Sequence, residues 1–132
     1  MAKIFSMSDA ASIAIHSMVL IARSDNGINA VRIAEISGFS KNHISKVLQR
    51  LVKNGLLKSV RGPMGGFSLK QPPESISLLS IYEAIEGNLD LTDCPMALNI
   101  CGFEHCIMGN VVNKMTMEFK KFLNEQSLKM YL

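Results

Sequence analysis

Two short amphipathic patterns separated by a glycine constrain this chain more than any other feature of its sequence. Asn29 can cap a helix over residues 30–37, and Gly38 interrupts that pattern. Ser40 begins a second helix, whose apolar residues follow the i, i+3, i+4, i+7 and i+8 spacing of one face: Ile44, Val47, Leu48, Leu51 and Val52. The opposite face is polar and basic. Two short helices joined by a tight glycine-containing turn are typical of a helix-turn-helix.

The charged residues are distributed unevenly, although the net charge is only +3. Residues 36–73 contain seven of the fourteen Lys and Arg side chains and no acidic residue. Residues 71–113 contain six acidic side chains and no Lys or Arg. The basic segment predicts contact with phosphates, and the acidic segment must face something other than nucleic acid. For a charge run alone, a solvated helix face is the alternative.

A change of periodicity after Gly55 predicts a β-hairpin. Two short apolar runs, residues 56–60 and 67–70, are separated by a tip that contains Arg61 and three glycines. A hairpin that follows a helix-turn-helix is a wing, and its glycines allow close approach to the DNA backbone or to a minor groove. A glycine-rich loop can also bind a nucleotide phosphate, but the Walker spacing is absent, so nucleotide binding is not favoured.

Helical patterns flank this unit on both sides. One begins near residues 6–9 and ends before Asp25, and Ser77 can cap another over residues 78–86. From about Cys106 to the C-terminus the pattern is helical again, with apolar residues at alternating spacings of four and three: Met108, Val112, Met115, Phe119 and Phe122. This narrow seam predicts a homodimer contact. Packing of the seam against its own domain is the alternative.

These patterns predict a mainly α-helical fold with a small β-hairpin. We expect a winged helix-turn-helix at residues 1–73, followed within one compact unit by a linker helix, a cysteine loop and a long C-terminal dimerisation helix at residues 74–132. Three cysteines and no secretory leader favour a cytoplasmic protein, and the apolar stretch at residues 10–22 is too short to cross a membrane. No nucleophile with a base and an orienting group is recognisable, so an enzyme is not expected.

Four segments of the chain carry a family resemblance: residues 36–40, residues 44–51, the wing sequence Arg-Gly-Pro-Met-Gly-Gly-Phe at 61–67, and Ile-Tyr-Glu-Ala-Ile-Glu-Gly at 81–87. Together they closely resemble the Rrf2 family of bacterial winged-helix regulators. The resemblance implies a winged helix followed by a dimerisation helix. Two residues depart from the family pattern, because Met64 replaces a glycine of the wing and His43 replaces an aromatic residue of the recognition helix.

The expected partner is a double-stranded DNA operator with twofold symmetry, bound by a homodimer. The residues predicted to contact it lie on the second helix of the motif and on the wing: Ser40, Lys41, Asn42, His43, Lys46, Arg50, Arg61 and Gly65. Lysine and arginine side chains mainly contact phosphates, whereas Asn42 and His43 are placed nearer the base edges.

Three cysteines, Cys94, Cys101 and Cys106, fall within thirteen residues. Thiolates are soft ligands that suit iron-sulfur clusters or zinc. The family resemblance implies that they hold a [2Fe-2S] or [4Fe-4S] cluster that controls DNA affinity and can be absent from protein prepared in air. The alternatives are a zinc site, a thiol redox switch, incidental thiols, or a winged helix that docks a protein partner.

The three cysteines leave the identity of a fourth cluster ligand open. Some members of the resembled family place a histidine three residues after the last cysteine, where this chain has Gly109. His105 could substitute from the position next to Cys106. Other members recruit a residue from helix 1 of the partner subunit, for which Ser12 and His16 are the matching positions. A lone histidine on an apolar helix is more often a core residue than a ligand.

Overall fold

The computed structural model describes residues 1–63, 65–91 and 101–132. The first helices are α1 (Asp9–Ala22), α2 (Ala30–Ser37) and α3 (Lys41–Lys53), and they are followed by the antiparallel strands β1 (Leu57–Val60) and β2 (Gly66–Leu69). Helix α4 (Leu78–Glu86) and helix α5 (Val111–Glu125) complete the regular structure, with short 3-10 turns at Pro73–Ser75 and Leu128–Tyr131. The predicted mainly helical fold with one hairpin is confirmed.

The starts of α1, α2, α3 and α4 are fixed by short polar side chains in the sequence. Ser8, Asn29, Ser40 and Ser77 each accept a hydrogen bond from a backbone N–H of the first turn that would otherwise lack a partner. Gly38 ends α2 in a left-handed conformation with φ of 81°, which glycine adopts without strain. The predicted bounds of α2 and α4 are therefore confirmed.

Helix α1 lies at the centre of the core and packs against α3 and α4. Its buried side chains include Ile13, Met18 and Ile21. The predicted apolar face of α3 meets them, because Ile44, Val47, Leu48 and Leu51 are all at most 2% exposed. Each such side chain stabilises the fold by about 1.5–3 kcal/mol on burial, so the outer face of α3 is held by a rigid inner face.

The wing is hydrogen-bonded to the segment that precedes α2. Phe67 of β2 exchanges two backbone hydrogen bonds with Ile28, at 2.8 and 3.1 Å. A Cβ atom on Gly66 would lie 2.5 Å from the Ile28 carbonyl oxygen, so only glycine allows this close approach. The hairpin orientation is thereby fixed relative to α2 and α3.

The C-terminal region differs from the predicted continuous helix. Helix α5 begins at Val111 and ends at Glu125, so the prediction of a helix from Cys106 to the C-terminus was wrong at both ends. After α5 the chain turns back beside α4, where Leu78 N–H donates to the Gln126 carbonyl and Leu128 N–H donates to the Ile76 carbonyl. Leu128 is fully buried there, and its burial stabilises the return of the chain.

Within the described residues, the structure contains no helix with the length and apolar character needed to cross a membrane.

Candidate nucleic-acid interface and cysteine segment

The outward face of α3 is polar, basic and exposed. Asn42, Lys46, Gln49 and Lys53 recur every three or four residues on the side opposite the buried row, and all four are exposed. The predicted contacts Asn42 and Lys46 thus lie on one surface. The site prediction did not include Gln49 and Lys53, although the phase of the apolar stripe places both on this face.

The N-terminal turn of α3 presents further polar groups. Ser40 caps the helix, since its hydroxyl oxygen accepts from the His43 N–H at 3.5 Å. Lys41 is exposed, His43 is partly exposed, and the first turn carries no acidic residue. The positive end of the helix dipole and Lys41 therefore both favour an anion at this end of α3.

Arg50 lies on the flank of α3 that faces α4. Its Nη2 atom donates to the backbone carbonyl of Ile85 at 2.5 Å. Of the predicted α3 residues, Asn42 and Lys46 therefore lie on the outward side of the helix, whereas Arg50, although exposed, has its guanidinium hydrogen-bonded within the protein. The predicted DNA contact of Arg50 stays a prediction.

The wing tip is exposed at Arg61, Gly62 and Pro63, whereas Met64 lies outside the described residues. The N–H of Gly65 donates to the Gly62 carbonyl at 2.8 Å, and a Cβ atom on Gly65 would lie 2.7 Å from that carbonyl oxygen. Gly65 is therefore required to close the turn that presents Arg61. Its predicted DNA contact, like that of Arg61, stays a prediction.

Two of the three predicted cysteine ligands lie within the described residues. Cys101 and Cys106 are both exposed free thiols. Cys94 lies in the segment 92–100, outside the described residues. Among the residues that the structure describes, no three His, Cys, Asp or Glu side chains form a group that could hold a metal ion.

The Cys106 thiol lies at the turn that leads into α5. The backbone N–H of Asn110, followed in importance by those of Met108 and Gly109, lowers the pKa of this thiol by hydrogen bonding to the thiolate, although some desolvation opposes the shift. Gly109 and Asn110 both have left-handed backbone conformations, with φ of 59° and 60°. The thiolate is the form that binds metals, so the exposed Cys106 sulfur suits the chemistry of an iron-sulfur cluster.

The candidate fourth ligands lie in different places. His105 is exposed beside Cys106. His16 lies on α1, where its ring contacts the edge of Phe39 with centroids 6.1 Å apart. The Nδ1 atom of His16 is 2.6 Å from the Ser12 carbonyl oxygen, which only accepts, so Nδ1 is the donor of this hydrogen bond. Within the described residues of one chain, His16 does not form a metal-binding group with Cys101 and Cys106.

Some residues of the predicted α5 seam pack within the same chain, and others are exposed on the surface. Phe119 packs against Tyr82 and Phe5, with ring centroids 5.3 and 4.9 Å apart. Met115 and Phe122 remain 39% and 55% exposed. Beside Phe119 the apolar face opens into a groove of about 810 Å³, and N-terminal residues form one of its walls. Part of the seam therefore packs within the chain, and the rest is an exposed apolar surface.

A helix-turn-helix with a basic outward face and an attached wing defines a winged-helix DNA-binding protein. Residues 7–131 match the model of the Rrf2 family, whose description is iron-dependent transcriptional regulator. The chain therefore belongs to the Rrf2 family and is a DNA-binding transcriptional regulator. Because the family and the relatives are transcriptional regulators, the expectation that the chain is not an enzyme is confirmed.

Two curated relatives support this assignment. An HTH-type transcriptional regulator of Haemophilus influenzae is 32% identical over 106 residues, which cover 80% of this chain and 71% of the relative. The HTH-type transcriptional regulator IscR of Yersinia enterocolitica is 28% identical over 116 residues, which cover 88% of this chain and 67% of that protein.

Two solved structures support the fold. CymR, the global cysteine regulator of B. subtilis, superposes with a TM-score of 0.79 at 20% identity and covers 96% of this chain and 95% of its own. IscR of T. potens superposes with a TM-score of 0.76 at 24% identity and covers 95% of this chain and 84% of its own.

Proposed function

We propose that this chain is a homodimeric transcriptional regulator that binds a twofold-symmetric operator and senses its signal through an iron-sulfur cluster. The observation that carries the DNA-binding part is the exposed basic face of α3 beside the wing. The sensing part is supported by the exposed thiols of Cys101 and Cys106 and by the family description as iron-dependent.

In this proposal, the outward face of α3 enters the major groove. Lys41 and Lys46 contact phosphates, while Asn42 and His43 approach base edges. Arg61 contacts the backbone or the minor groove from the wing tip. Ser40 and Gly65 contribute mainly by capping α3 and by closing the wing turn.

The homodimer forms through the exposed part of the α5 seam. Met115 and Phe122 are apolar side chains that a second copy of α5 would remove from water. Twofold symmetry then places two copies of α3 at half-sites about 34–36 Å apart on one side of the DNA.

Cys94, Cys101 and Cys106 would hold the cluster, which supplies an oxidisable and removable iron centre when bound. The backbone amides around Cys106 favour the thiolate that such a centre requires. His105 of the same chain, or His16 or Ser12 of the partner subunit, completes the ligand set. A ligand from the partner would make the arrangement of the two subunits depend on the cluster.

The experiment is iron and acid-labile sulfide analysis, with a visible absorption spectrum, on protein purified without oxygen from iron-replete cells. Wild type and Gly102→Ala should be coloured and contain both elements, because a Cβ atom on Gly102 meets open space. Cys101→Ser and Cys106→Ser should be colourless. A colourless wild type without iron would contradict the cluster, and zinc in that protein would indicate a zinc site instead.

The fourth ligand is tested by comparing His16→Ala with His105→Ala in the same assay. Loss of absorption in only one variant identifies the ligand. If both variants keep the wild-type spectrum, neither histidine is the ligand, and Ser12→Ala becomes the informative variant.

A further inference from the structure

The contact between α3 and α4 contains a charged hydrogen bond that the proposed DNA interface does not use. Arg50 Nη2 donates to the Ile85 carbonyl at 2.5 Å, across 35 positions of the sequence. Arg50 lies one turn after Lys46 on α3 but on the flank toward α4, whereas Lys46 lies on the outward face. Both side chains are exposed, but the Arg50 guanidinium is hydrogen-bonded to α4, whereas Lys46 faces outward.

The Ile85 carbonyl needs this donor. In a continuing helix it would accept from the N–H of Leu89, but that N–H donates to the Glu83 carboxylate at 2.7 Å. The carbonyl lies in the last turn of α4, where the helix dipole places partial negative charge. The Arg50 guanidinium supplies the missing hydrogen-bond donor, and its positive charge is attracted to the partial negative charge at this end of α4.

The last turn of α4 is itself held from other sides. The Ser8 hydroxyl at the start of α1 donates to the Glu86 carboxylate. The segment after α4 is bound to α5, because Lys120 Nζ donates to the Leu89 carbonyl at 3.1 Å. Arg50 therefore connects α3 to a fixed point of the fold.

We propose that Arg50 is a positioning residue for DNA recognition. Its bond to Ile85 sets the orientation of α3, so that the outward face meets the base edges in register, and the guanidinium does not bind a phosphate. This inference rests on the proposed DNA interface of α3. It assigns Arg50 a role different from that of Lys46.

The test compares Arg50→Gln with Lys46→Gln on two probes: a duplex that the wild-type protein selects from a randomised library, and a scrambled duplex of the same length. Binding of both variants and wild type is measured over a salt series. A phosphate contact contributes about 0.9 to the slope of log affinity against log salt concentration. Lys46→Gln should therefore reduce the steepness of this slope by about 0.9 on both probes.

Arg50→Gln should weaken binding to the selected duplex on the order of tenfold and leave the affinity and salt slope on the scrambled duplex unchanged. Unchanged binding to the scrambled duplex also shows that the variant is folded, because a loss through unfolding would reduce binding to both probes. A parallel fall in slope on both probes would make Arg50 a phosphate contact and overturn the inference. Unchanged binding to both probes would overturn it as well.

The test separates this inference from the proposed interface. If Lys46→Gln leaves every slope unchanged, or if the wild type selects no sequence, the proposed interface fails and the inference fails with it. If Lys46→Gln behaves as expected and Arg50→Gln behaves in the same way, only the inference about Arg50 fails.

Discussion

The winged-helix part of the molecule and the part formed by α5 and the cysteines use their apolar side chains in different ways. In α1, α3 and α4 the apolar faces are buried against one another, and Ile13, Leu48 and Ile81 are at most 1% exposed. Residues 101–110 are all exposed, and in α5 the buried residue is Leu123. The first region stabilises itself, whereas the second presents apolar and thiol groups that other molecules can cover.

In the proposed function, this difference separates the region that stabilises the fold from the region that regulates DNA binding. The core of α1, α3 and α4 holds the DNA-binding surface in a fixed shape, because close-packed interiors tolerate little change. The exposed region can change its partners without unfolding that core. Substitutions in the two regions should therefore have different consequences.

The largest effect on stability should come from the core of α3. Leu48→Ala removes a fully buried side chain and should lower the free energy of unfolding by about 2–5 kcal/mol. Phe122→Ala in α5, at a side chain that is 55% exposed, should change it by less than about 1 kcal/mol in dilute protein. Urea denaturation followed by circular dichroism measures both values. Equal losses of unfolding free energy in the two variants would show that the two regions do not differ in their contribution to stability.

A glycine in each region gives a second matched pair. Gly66→Ala places a Cβ atom 2.5 Å from the Ile28 carbonyl oxygen and should lower the free energy of unfolding by about 1–3 kcal/mol. Gly102→Ala meets open space beside Cys101 and should leave the free energy within about 0.5 kcal/mol of wild type. A Gly66→Ala protein as stable as wild type would show that the wing is not fixed to Ile28.

The wing tip should affect binding rather than stability. Arg61→Ala should weaken binding to the selected duplex by about 1–3 kcal/mol if Arg61 reads a groove. Fluorescence anisotropy at one fixed salt concentration measures this loss, with denaturation as a control for folding. Unchanged affinity would exclude the proposed role of Arg61.

The α5 seam should control assembly. Met115→Glu places a charge on the exposed apolar face and should raise the dimer dissociation constant at least about tenfold, which corresponds to about 1.4 kcal/mol. Met117→Glu makes the same substitution at an exposed position on the opposite side of α5 and serves as the matched control. Sedimentation equilibrium gives both constants. If the two variants dissociate equally, the seam is not the interface.

The smallest expected effect concerns the pH dependence of Cys106. Because the surrounding backbone amides lower the pKa of this thiol, its thiolate should persist to lower pH in the folded chain. In metal-free Cys94→Ser/Cys101→Ser protein, the pH midpoint of iodoacetamide alkylation should lie lower when the chain is folded than when it is unfolded in urea. Equal midpoints would contradict the contact between Cys106 and the turn before α5.

Local signals predicted the first region well. The capping residues Asn29 and Ser77 and the terminating Gly38 specify helix bounds through their own backbone contacts, and the apolar stripe of α3 identifies its buried face. These features depend on residues close together in the sequence. Their structural consequence could therefore be predicted without knowledge of the rest of the fold.

Contacts between residues that are far apart in the sequence could not be predicted from the sequence patterns. The bond between Arg50 and Ile85 spans 35 positions, and a basic residue on a recognition helix is ordinarily interpreted as a DNA contact. The early end of α5 depends on the burial of Leu128 beside the segment before α4.

The central claim is that the cysteine region controls the DNA affinity of the winged helix. The most direct test measures binding to the selected duplex with one anaerobic preparation, before and after a chelator removes its iron, at constant salt and protein concentration. The account predicts that affinity changes by about tenfold or more, and that Cys106→Ser binds like the iron-free protein. Equal affinities of the iron-loaded and iron-free protein would contradict it.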